Sequence, residues 1–528
     1  MSSNDNSLVK RAKKKSKKGV GTIIFSRLFM LVLMVFLQVV AMVFFLANTD
    51  IFNELYYVIE IIKLFIVIYI VNEQKTDPTM KLIWVIVVLV IPVFGAILYL
   101  YVKFQFGSIL IRKKIAEINE RTHGYLSYDR KKKEELMKNH PMTVGLGNYI
   151  YGFSGYPIYT DVEVKYFSSG KKKFAALLEE LKKAEKYIFL EYFIIEEGEM
   201  WNSVFDILCQ KQKEGVEVRV IYDGMCSIVQ LPMGYYKKVR EKGIKCKLFA
   251  PMRPFLSTYQ NNRDHRKIVV IDGKTVFTGG VNLADEYING KERFGYWKDS
   301  AVMLKGEVAN SFAVMFLRMW NIDSKEIENF EPYLNENKDY QIDSSRAGNV
   351  LGYSDEPFDS ENISELVYMH LINTAKDNVH IITPYLIIDN VFMSALKFAA
   401  KRGVDVKIIM PGIPDKSYAY CVARTYYEEL IEAGVKIYEF TPGFTHSKVF
   451  VVDGTKATVG TANLDYRSFF LHFECGALIF DSPEIKMVEE DFQTTLKASH
   501  RVTLQECRNR NFLYKYAGKI LRMIAPLL

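Results

Sequence analysis

A histidine, a lysine and an aspartate occur twice in this 528-residue chain with the same spacing. Both copies follow the pattern H-x-K-x4-D-x6-G-[GT]-x-N, the first beginning at His265 and the second at His446. The candidate site residues are His265, Lys267, Asp272, Gly279, Gly280 and Asn282 in the first copy, and His446, Lys448, Asp453, Gly460 and Asn463 in the second. Six fixed positions do not recur by chance, so the sequence predicts a duplicated site rather than two unrelated surface histidines.

These residue types favour chemistry on a phosphate group. On a β-strand, a His and a Lys two positions apart project to the same side of the sheet, and an Asn after a glycine-rich turn adds an amide donor beside them. One His, one Lys and one Asn from each copy, related by a pseudo-twofold axis, would form an anion pocket with two titratable bases. The lysines and asparagines would hold the non-bridging oxygens while one imidazole attacks phosphorus and the other protonates the leaving oxygen.

The chain resembles the phospholipase D superfamily and, within it, the bacterial cardiolipin synthases. The resemblance covers almost the whole chain and is carried by Thr76-Asp-Pro-Thr-Met-Lys-Leu-Ile-Trp84, Asn261-Asn-Arg-Asp-His-Arg-Lys267, Gly295-Tyr-Trp-Lys-Asp299, Thr383-Pro-Tyr385, Gly460-Thr-Ala-Asn-Leu-Asp-Tyr-Arg-Ser468 and Ala525-Pro-Leu-Leu528. It implies a duplicated phospholipase D fold and a phosphohistidine intermediate, with no metal or cofactor. The chain departs from its relatives at His472, where Asn is expected, and this departure bears only on local packing.

The resemblance also implies a role for two carboxylates outside the motif, Asp299 and Glu474. In the superfamily, acids at matching positions bond the far nitrogen of each imidazole and fix its tautomer. A nucleophilic imidazole needs such a partner because it must present one free nitrogen to phosphorus while the other donates. Asp272 and Asp453 have two interpretations, a direct catalytic role or a structural role near the strand ends, and the structural one is favoured.

By this resemblance we expect a membrane-bound phosphatidyltransferase that joins two phosphatidylglycerol molecules into cardiolipin and releases glycerol. His265 is expected to attack the first lipid and His446 to protonate the glycerol, and the near-equivalence of the two halves leaves this order open. The alternatives are a hydrolytic phospholipase D that uses water, and a transferase with another acceptor lipid. A nuclease is disfavoured by the charge balance, and a non-enzymatic scaffold by the two intact motifs.

The elements that must position these residues are those of an α/β fold. From about residue 150, short β-branched runs alternate with amphipathic helices, and Gly215–Gly224 reads like Gly403–Gly412. We therefore expect two mixed β-sheet halves flanked by helices, 151–340 and 341–507, related by a pseudo-twofold axis. The first half has a ten-residue insertion within Phe249–Asp264, just before its histidine.

The first hundred residues contain three long apolar runs, at about 28–46, 55–71 and 82–102. Their lengths predict two or three transmembrane helices within 21–103, because about 20 residues cross the hydrocarbon core. The middle run is the weakest, since it contains Glu60 and Lys63. Either this run lies in the membrane interface, or the third run folds back at Pro92 and Gly95 as a helical hairpin.

The formal charge of +8 is concentrated in two stretches. Residues 1–20, a basic tail, carry a net +6 and residues 103–140 carry +5, which leaves −3 for the rest of the chain. Basic stretches beside apolar runs indicate the inside of a cell and an anionic membrane as partner. We expect residues 103–528 to face the cytoplasm at a bacterial cell membrane, with no nucleic acid bound, because a nucleic-acid-binding domain spreads its basic residues over a surface.

Two further segments complete the chain, a basic helical linker at 104–150 and an amphipathic helix at 508–528. In the amphipathic helix, apolar residues recur every four positions between basic ones: Phe512, Tyr516, Ile520 and Ile524, flanked by Lys515, Lys519 and Arg522. This pattern suits a helix lying on an anionic lipid surface, and the alternative is a helix that closes onto the core. The six cysteines have no metal-ligand spacing and are expected to be reduced packing thiols.

Overall fold

The structure is a computed structural model that describes Phe36 and residues 49–74, 76–103, 106–226, 230–232, 234–251, 261–335, 341–359 and 361–525. These residues form two compact units, one within the first 108 residues and one from Ile109 onward. The predicted apolar run at 28–46 lies outside the described residues apart from Phe36.

Three helices make up the N-terminal unit: α1 (Thr49–Asn72), α2 (Pro78–Val90) and α3 (Pro92–Lys103). The apolar run at 82–102 is divided at Pro92, because proline has no N–H with which to continue α2. Helix α3 folds back on α2, since the rings of Trp84 and Tyr99 lie 5.4 Å apart. The close approach requires Gly95, where a Cβ atom would lie 2.5 Å from the carbonyl oxygen of Val87. The third run is therefore a helical hairpin.

None of the helices in the described part of the chain combines the length and the apolarity needed to cross a bilayer. The transmembrane spans predicted at 55–71 and 82–102 are therefore not confirmed.

The larger unit begins within the first of three helices: α4 (Phe106–Thr122), α5 (Arg130–Asn139) and α6 (Pro141–Ser154). They occupy the segment predicted as a helical linker. Helix α5 begins at a cap in which the carboxylate of Asp129 accepts from two backbone N–H groups. Ile115, Leu136 and Ile150 on these helices belong to the main hydrophobic core. The segment is thus an integral part of the larger unit.

The two halves of the larger unit alternate strands and helices, as the sequence predicts. The first half contains β1 (Ile158–Phe167), α7 (Gly170–Lys182), β2 (Tyr187–Tyr192), α8 (Glu199–Lys213), β3 (Glu217–Asp223), α9 (Tyr235–Arg240), β4 (Lys245–Phe249), β5 (Arg263–Asp264), β6 (Lys267–Ile271), β7 (Thr275–Gly279), β8 (Tyr296–Lys298), β9 (Ala301–Lys305) and α10 (Val308–Asn321).

The second half contains β10 (Ala347–Asp355), α11 (Ile363–Thr374), β11 (Asn378–Ile382), β12 (Leu386–Ile387), α12 (Asn390–Lys401), β13 (Asp405–Pro411), α13 (Ser417–Glu432), β14 (Lys436–Phe440), β15 (Gly443–Thr445), β16 (Val449–Val452), β17 (Lys456–Gly460), β18 (Leu464–Asp465), α14 (Tyr466–Phe470), β19 (His472–Phe480), α15 (Glu484–Lys497), β20 (Ser499–Arg501), α16 (Leu504–Arg508) and α17 (Phe512–Met523).

One continuous sheet joins the two halves. Its strands lie in the order β20-β14-β13-β11-β16-β17-β19-β10-β1-β9-β7-β6-β2-β3-β4, with β5 paired to β19. At its centre β1 and β10 pair antiparallel, with Ile158 opposite Leu351, and corresponding strands follow in the same order on either side. The predicted pseudo-twofold relation is therefore present. The two sheet halves are continuous, because β1 and β10 satisfy each other's hydrogen bonds.

The C-terminal helix α17 packs on α13 through one face and leaves another exposed. Gly518 allows the close contact, because a Cβ atom there would lie 2.9 Å from the carbonyl oxygen of Cys421. Phe512, Tyr516 and Ile520 remain 67%, 54% and 61% exposed. The helix therefore closes onto the core through one face, and the contact of its exposed face with lipid stays a prediction.

Candidate active site

Each motif histidine follows a short strand that pairs with the opposite half. Strand β5 runs parallel to β19, and the N–H of His265 donates to the carbonyl oxygen of Phe473 at 3.0 Å. Strand β15 runs parallel to β8, and the N–H of His446 donates to the carbonyl oxygen of Lys298 at 2.6 Å. The fold thus exchanges short strands between its halves and brings each histidine against the chain of the other half.

The exchange pairs each imidazole with a carboxylate from the opposite half. The Nδ1 atom of His265 lies 2.9 and 3.1 Å from the two carboxylate oxygens of Glu474. The Nδ1 atom of His446 lies 2.8 Å from Oδ2 of Asp299. Both carboxylates are fully buried. A carboxylate at Nδ1 holds a proton there and leaves Nε2 to meet the substrate.

Burial lowers the pKa of both histidines. For His265, burial outweighs the attraction of Glu474 and places the pKa well below its usual value. For His446, burial and the nearby Lys448 lower the pKa to about 4. Burial alone would raise the pKa of Glu474, but its contact with His265 holds that pKa well below the ordinary value. At neutral pH the His265–Glu474 pair is therefore a neutral imidazole beside a carboxylate, which is the form a nucleophile requires.

The two motif lysines are buried beside the histidines. Each ammonium donates to the backbone carbonyl oxygen of its own motif histidine, Lys267 to His265 and Lys448 to His446. Burial lowers the pKa of Lys267 to about 8 and that of Lys448 to about 7. Burial removes water from the two ammonium groups, and the nearby carboxylates offset this cost only in part. An anionic ligand between Lys267 and Lys448 would raise their pKa values and restore their protonation.

The amides of the two motif asparagines are engaged differently. The Oδ1 atom of Asn282 accepts from the N–H of Ile194 at 3.0 Å and its Nδ2 donates to the Tyr287 hydroxyl at 2.7 Å. Asn463 donates through Nδ2 to Asp465 at 3.2 Å, while its Oδ1 is buried with no hydrogen-bond partner among the described residues. Both ends of the Asn282 amide are therefore hydrogen-bonded within the described residues, whereas the Asn463 amide is bonded only through its Nδ2.

The two motif aspartates lie at the ends of their hairpins, where each accepts hydrogen bonds from three consecutive backbone N–H groups. Asp272 binds those of residues 185–187, each at 2.8 Å, and Asp453 binds those of residues 376–378 at 2.8–3.0 Å. Both residues adopt φ of +53°. Their carboxylates thus connect each hairpin to the start of a neighbouring strand, and this placement supports the structural interpretation over direct catalysis.

The glycines of the motif make room for the opposing backbone and carboxylate. Gly279 has φ of +136°, a conformation that L-residues with a side chain rarely adopt. A Cβ atom at Gly280 would overlap Oδ1 of Asp299. A Cβ atom at Gly460 would lie 2.7 Å from the carbonyl oxygen of Cys475. Gly280 is therefore the position that admits the carboxylate serving His446.

Thr461 occupies in the second half the place that Gly280 has in the first, and its hydroxyl donates to Oε2 of Glu474. Its backbone N–H donates to the carbonyl oxygen of Cys475 at 2.9 Å. Thr461 is part of the motif pattern, but sequence reasoning assigned it no contact, because its partner Glu474 depends on the folding of β19 against β17.

His472 is a site neighbour that sequence reasoning treated as local packing. Its ring centroid lies 5.5 Å from that of His265, and its Nδ1 lies 3.8 Å from Oε1 of Glu474. In the corresponding place of the first half, the ring of Trp297 lies 5.5 Å from that of His446. The sequence could have indicated this placement, because His472 is two positions from Glu474 and alternate residues of a strand share one face.

One group in the described part of the chain has the spacing to hold a metal ion. It consists of His265, His472 and Glu474, whose candidate ligand atoms all lie within 4.8 Å of one another. A cation held there would take the Glu474 oxygens that now bind Nδ1 of His265. In this group the Glu474 carboxylate orients the His265 imidazole, and a bound metal would compete with Nδ1 of His265 for that carboxylate.

Together the two halves provide two buried imidazoles with oriented nitrogens and two ammonium groups with weakened protonation. Such a set can bind a phosphodiester anion, attack its phosphorus with one imidazole and move a proton with the other.

Comparison with known proteins gives two family matches. A model described as a cardiolipin synthase, PLD-like domain matches residues 177–320 and 368–496, which include both motifs. A second, described as a phospholipase D-nuclease N-terminal region, matches residues 61–103.

Individual relatives cover nearly the whole chain. The chain is 35% identical to a cardiolipin synthase of Alkalihalophilus pseudofirmus, over 88% of this chain and 92% of that protein. It is 33% identical to cardiolipin synthase 2 of Bacillus anthracis, over 88% of this chain and 90% of that protein. Among solved structures, the phosphatidylserine synthase of Haemophilus influenzae has a similar fold, with a TM-score of 0.56 at 16% identity over 74% of this chain and 98% of that one. This likeness confirms the mixed α/β fold predicted from sequence.

Proposed function

The chain belongs to the cardiolipin synthase family of PLD-like proteins, and from this membership we propose that it transfers a phosphatidyl group from one phosphatidylglycerol to another, which forms cardiolipin and releases glycerol. The observation that carries the proposal is the pair of buried imidazoles, each bonded at Nδ1 to a carboxylate of the opposite half. Two such imidazoles meet the needs of a transfer that proceeds in two displacements at one phosphorus.

In the first displacement, Nε2 of His265 attacks the phosphorus of the donor lipid. The bond from phosphorus to the glycerol headgroup breaks, and the departing oxygen takes a proton from His446. The product is a phosphatidyl group bound to His265. Lys267 and Lys448 stabilise the charge on the non-bridging oxygens, because that charge is greatest in the crowded transition state.

In the second displacement, a headgroup hydroxyl of the acceptor phosphatidylglycerol gives its proton to His446. Its oxygen attacks phosphorus as the bond to Nε2 of His265 breaks. Both histidines return to their initial states, and one glycerol has been exchanged for one lipid.

Unequal surroundings support this order of the two histidines. Within the described part of the chain, Glu474 is the side chain that bonds to Nδ1 of His265 and keeps that nitrogen protonated, which leaves a free lone pair on Nε2. At His446, the ammonium of Lys448 lies 2.9 Å from Nδ1 and competes with Asp299 for it. A bound phosphodiester anion would raise the pKa of His446, and the resulting imidazolium carries its second proton on Nε2, where the departing glycerol must be protonated.

The main test is lipid mass spectrometry of a cardiolipin-deficient bacterium that expresses the wild-type protein or His265→Ala. We expect cardiolipin with the wild type and none with the variant. Cardiolipin from both strains would contradict the mechanism, and its absence from both would contradict the function. With purified protein and phosphatidylglycerol, phosphatidate in place of cardiolipin would identify water as the acceptor.

We also propose that the protein works at an anionic membrane with its larger unit on the cytoplasmic side. The exposed apolar face of α17 supports the membrane contact. The basic stretch 103–140 supports the cytoplasmic side. A protease added to intact spheroplasts should leave the larger unit uncut. Deleting residues 511–528 should reduce activity on vesicles more than on detergent-dispersed lipid, and equal losses would contradict the membrane contact.

A further inference from the structure

A basic cleft lies beneath the C-terminal helix, between α13, α16 and α17. Its cavity volume is about 40 Å³. Its polar lining consists mainly of Arg424, Glu428, Arg510, Lys515 and Lys519. None of its lining residues belongs to the two motifs or to the carboxylates that orient the histidines.

Two of the four cations in this cleft have no matching carboxylate among the described residues. Arg424 is paired with Glu439 at 2.8 Å, and Lys515 contacts Glu428 at 3.4 Å. Arg510 instead donates to the carbonyl oxygen of Arg424 at 3.1 Å and lies over the Tyr427 ring at 5.2 Å.

Lys519 is exposed, and no ion pair joins it to any described residue. The cleft therefore presents a net positive charge formed by a guanidinium and an ammonium, the two groups that bind phosphate in proteins.

The helix that covers the cleft turns its apolar face outward. Phe512, Tyr516 and Ile520 on that face are each more than half exposed, and Lys519 is next to Ile520 in the chain. A free phosphate would use only the cleft. A phospholipid would use both features, with its phosphate in the cleft and its acyl chains along the apolar face.

We propose that this cleft binds the headgroup phosphate of an anionic phospholipid at a site separate from the active site. The bound lipid fixes α17 at the bilayer surface and raises the local concentration of the larger unit at its substrate. The inference rests on the proposed function in one respect, that the protein acts at a lipid surface. It concerns attachment to that surface and leaves the chemistry at the histidines unchanged.

The test uses the full-length protein carrying His265→Ala, which stops turnover, and counts the phosphatidylglycerol molecules retained in native mass spectrometry. Arg510→Gln with Lys519→Gln should retain one lipid fewer. The matched control, Lys401→Gln with Lys486→Gln, removes two exposed charges elsewhere on helices and should retain the full number. Lys519→Gln alone alters no described contact, so it tests the site without risk to the fold.

In a histidine-intact background, each removed charge should weaken the apparent affinity for phosphatidylglycerol vesicles about fivefold. Turnover of detergent-dispersed lipid should stay at the wild-type rate, so a failure of this site differs from a failure of the proposed function. Unchanged lipid retention in the double variant, or equal retention of phosphatidylcholine, would overturn the inference. If inorganic phosphate or glycerol 3-phosphate protects the wild type from thermal unfolding as strongly as phosphatidylglycerol does, and the double variant less, the cleft is a free-phosphate site and the lipid assignment is wrong.

Discussion

The two halves of the larger unit place the same groups around their histidines. In each half the imidazole meets a carboxylate of the other half, the lysine bonds to the carbonyl oxygen of its own histidine, and the aspartate binds three backbone N–H groups. The differences begin one position away from these contacts. Repetition of the motif thus fixes the reacting geometry, and the neighbouring residues allow the two histidines to differ in role.

Three such differences surround the site. Gly280 in the first half corresponds to Thr461 in the second, and Trp297 corresponds to His472. Between His and Lys, Arg266 forms a buried ion pair with Glu191 at 2.7 Å in the first half, whereas a serine takes this place in the second. His265 is held in one tautomer by Glu474, which in turn accepts from Thr461, while His446 has an ammonium beside its Nδ1. The difference supports a fixed nucleophile in one half and a proton carrier in the other.

The largest expected effect separates the two histidines directly. His265→Ala should lower turnover about 10⁴-fold or more, because the nucleophile is lost, and His446→Ala about 10²–10⁴-fold. With a phosphatidyl ester of nitrophenol as substrate, the nitrophenolate group leaves without needing a proton. His446→Ala should therefore still release one burst of nitrophenolate, and His265→Ala none. Absorbance in a stopped-flow experiment measures this burst. A burst from His265→Ala alone would reverse the two roles.

The carboxylates should divide in the same way as the histidines they serve. Glu474→Gln and Asp299→Asn should each lower turnover about 10²–10⁴-fold, because an amide no longer holds the imidazole in its reactive tautomer. With the nitrophenyl ester, Glu474→Gln should lose the burst and Asp299→Asn should keep it. The thermal unfolding midpoint of each variant serves as the control for folding. Loss of the burst in both variants would contradict the division of roles.

The lysines should set the alkaline limit of activity. Each lysine is charged below its pKa and neutral above it, and the charged form binds the lipid phosphate, so kcat/KM should fall as pH rises through the pKa values of about 7 and about 8. Lys448→Arg keeps its charge at every accessible pH and should move this limit upward, whatever its effect on the maximum rate. A wild-type profile that stays flat to about pH 10 would contradict the assignment.

The smallest expected effect lies at the turn that distinguishes the halves. Thr461→Gly gives the second turn the Gly-Gly sequence of the first and removes the hydroxyl donor from Glu474. Loss of one hydrogen bond to a charged group should lower kcat/KM about tenfold. Thr461→Ser retains the hydroxyl and should remain close to the wild type. Equal rates for the glycine and serine variants would show that this donor does not distinguish the halves.

Much of the fold and the site could be predicted from local patterns. The spacing of His and Lys on a strand, the helix-to-strand junctions at Gly215 and Gly403, and the division of the apolar run at Pro92 each depend on residues close in sequence. The free end of Asn463 and the engaged amide of Asn282 could not be predicted, because their partners come from separate elements.

The sequence by itself determined that there are two equivalent sets of reacting groups, since the repeat and its spacing are present in the chain. Only the tertiary structure decided which carboxylate serves which histidine. Glu474 follows His446 in the chain yet bonds to His265, and Asp299 follows His265 yet bonds to His446. The physical reason is the exchange of β5 and β15 across the pseudo-twofold axis, a pairing between strands about 150 to 200 residues apart that no local pattern encodes.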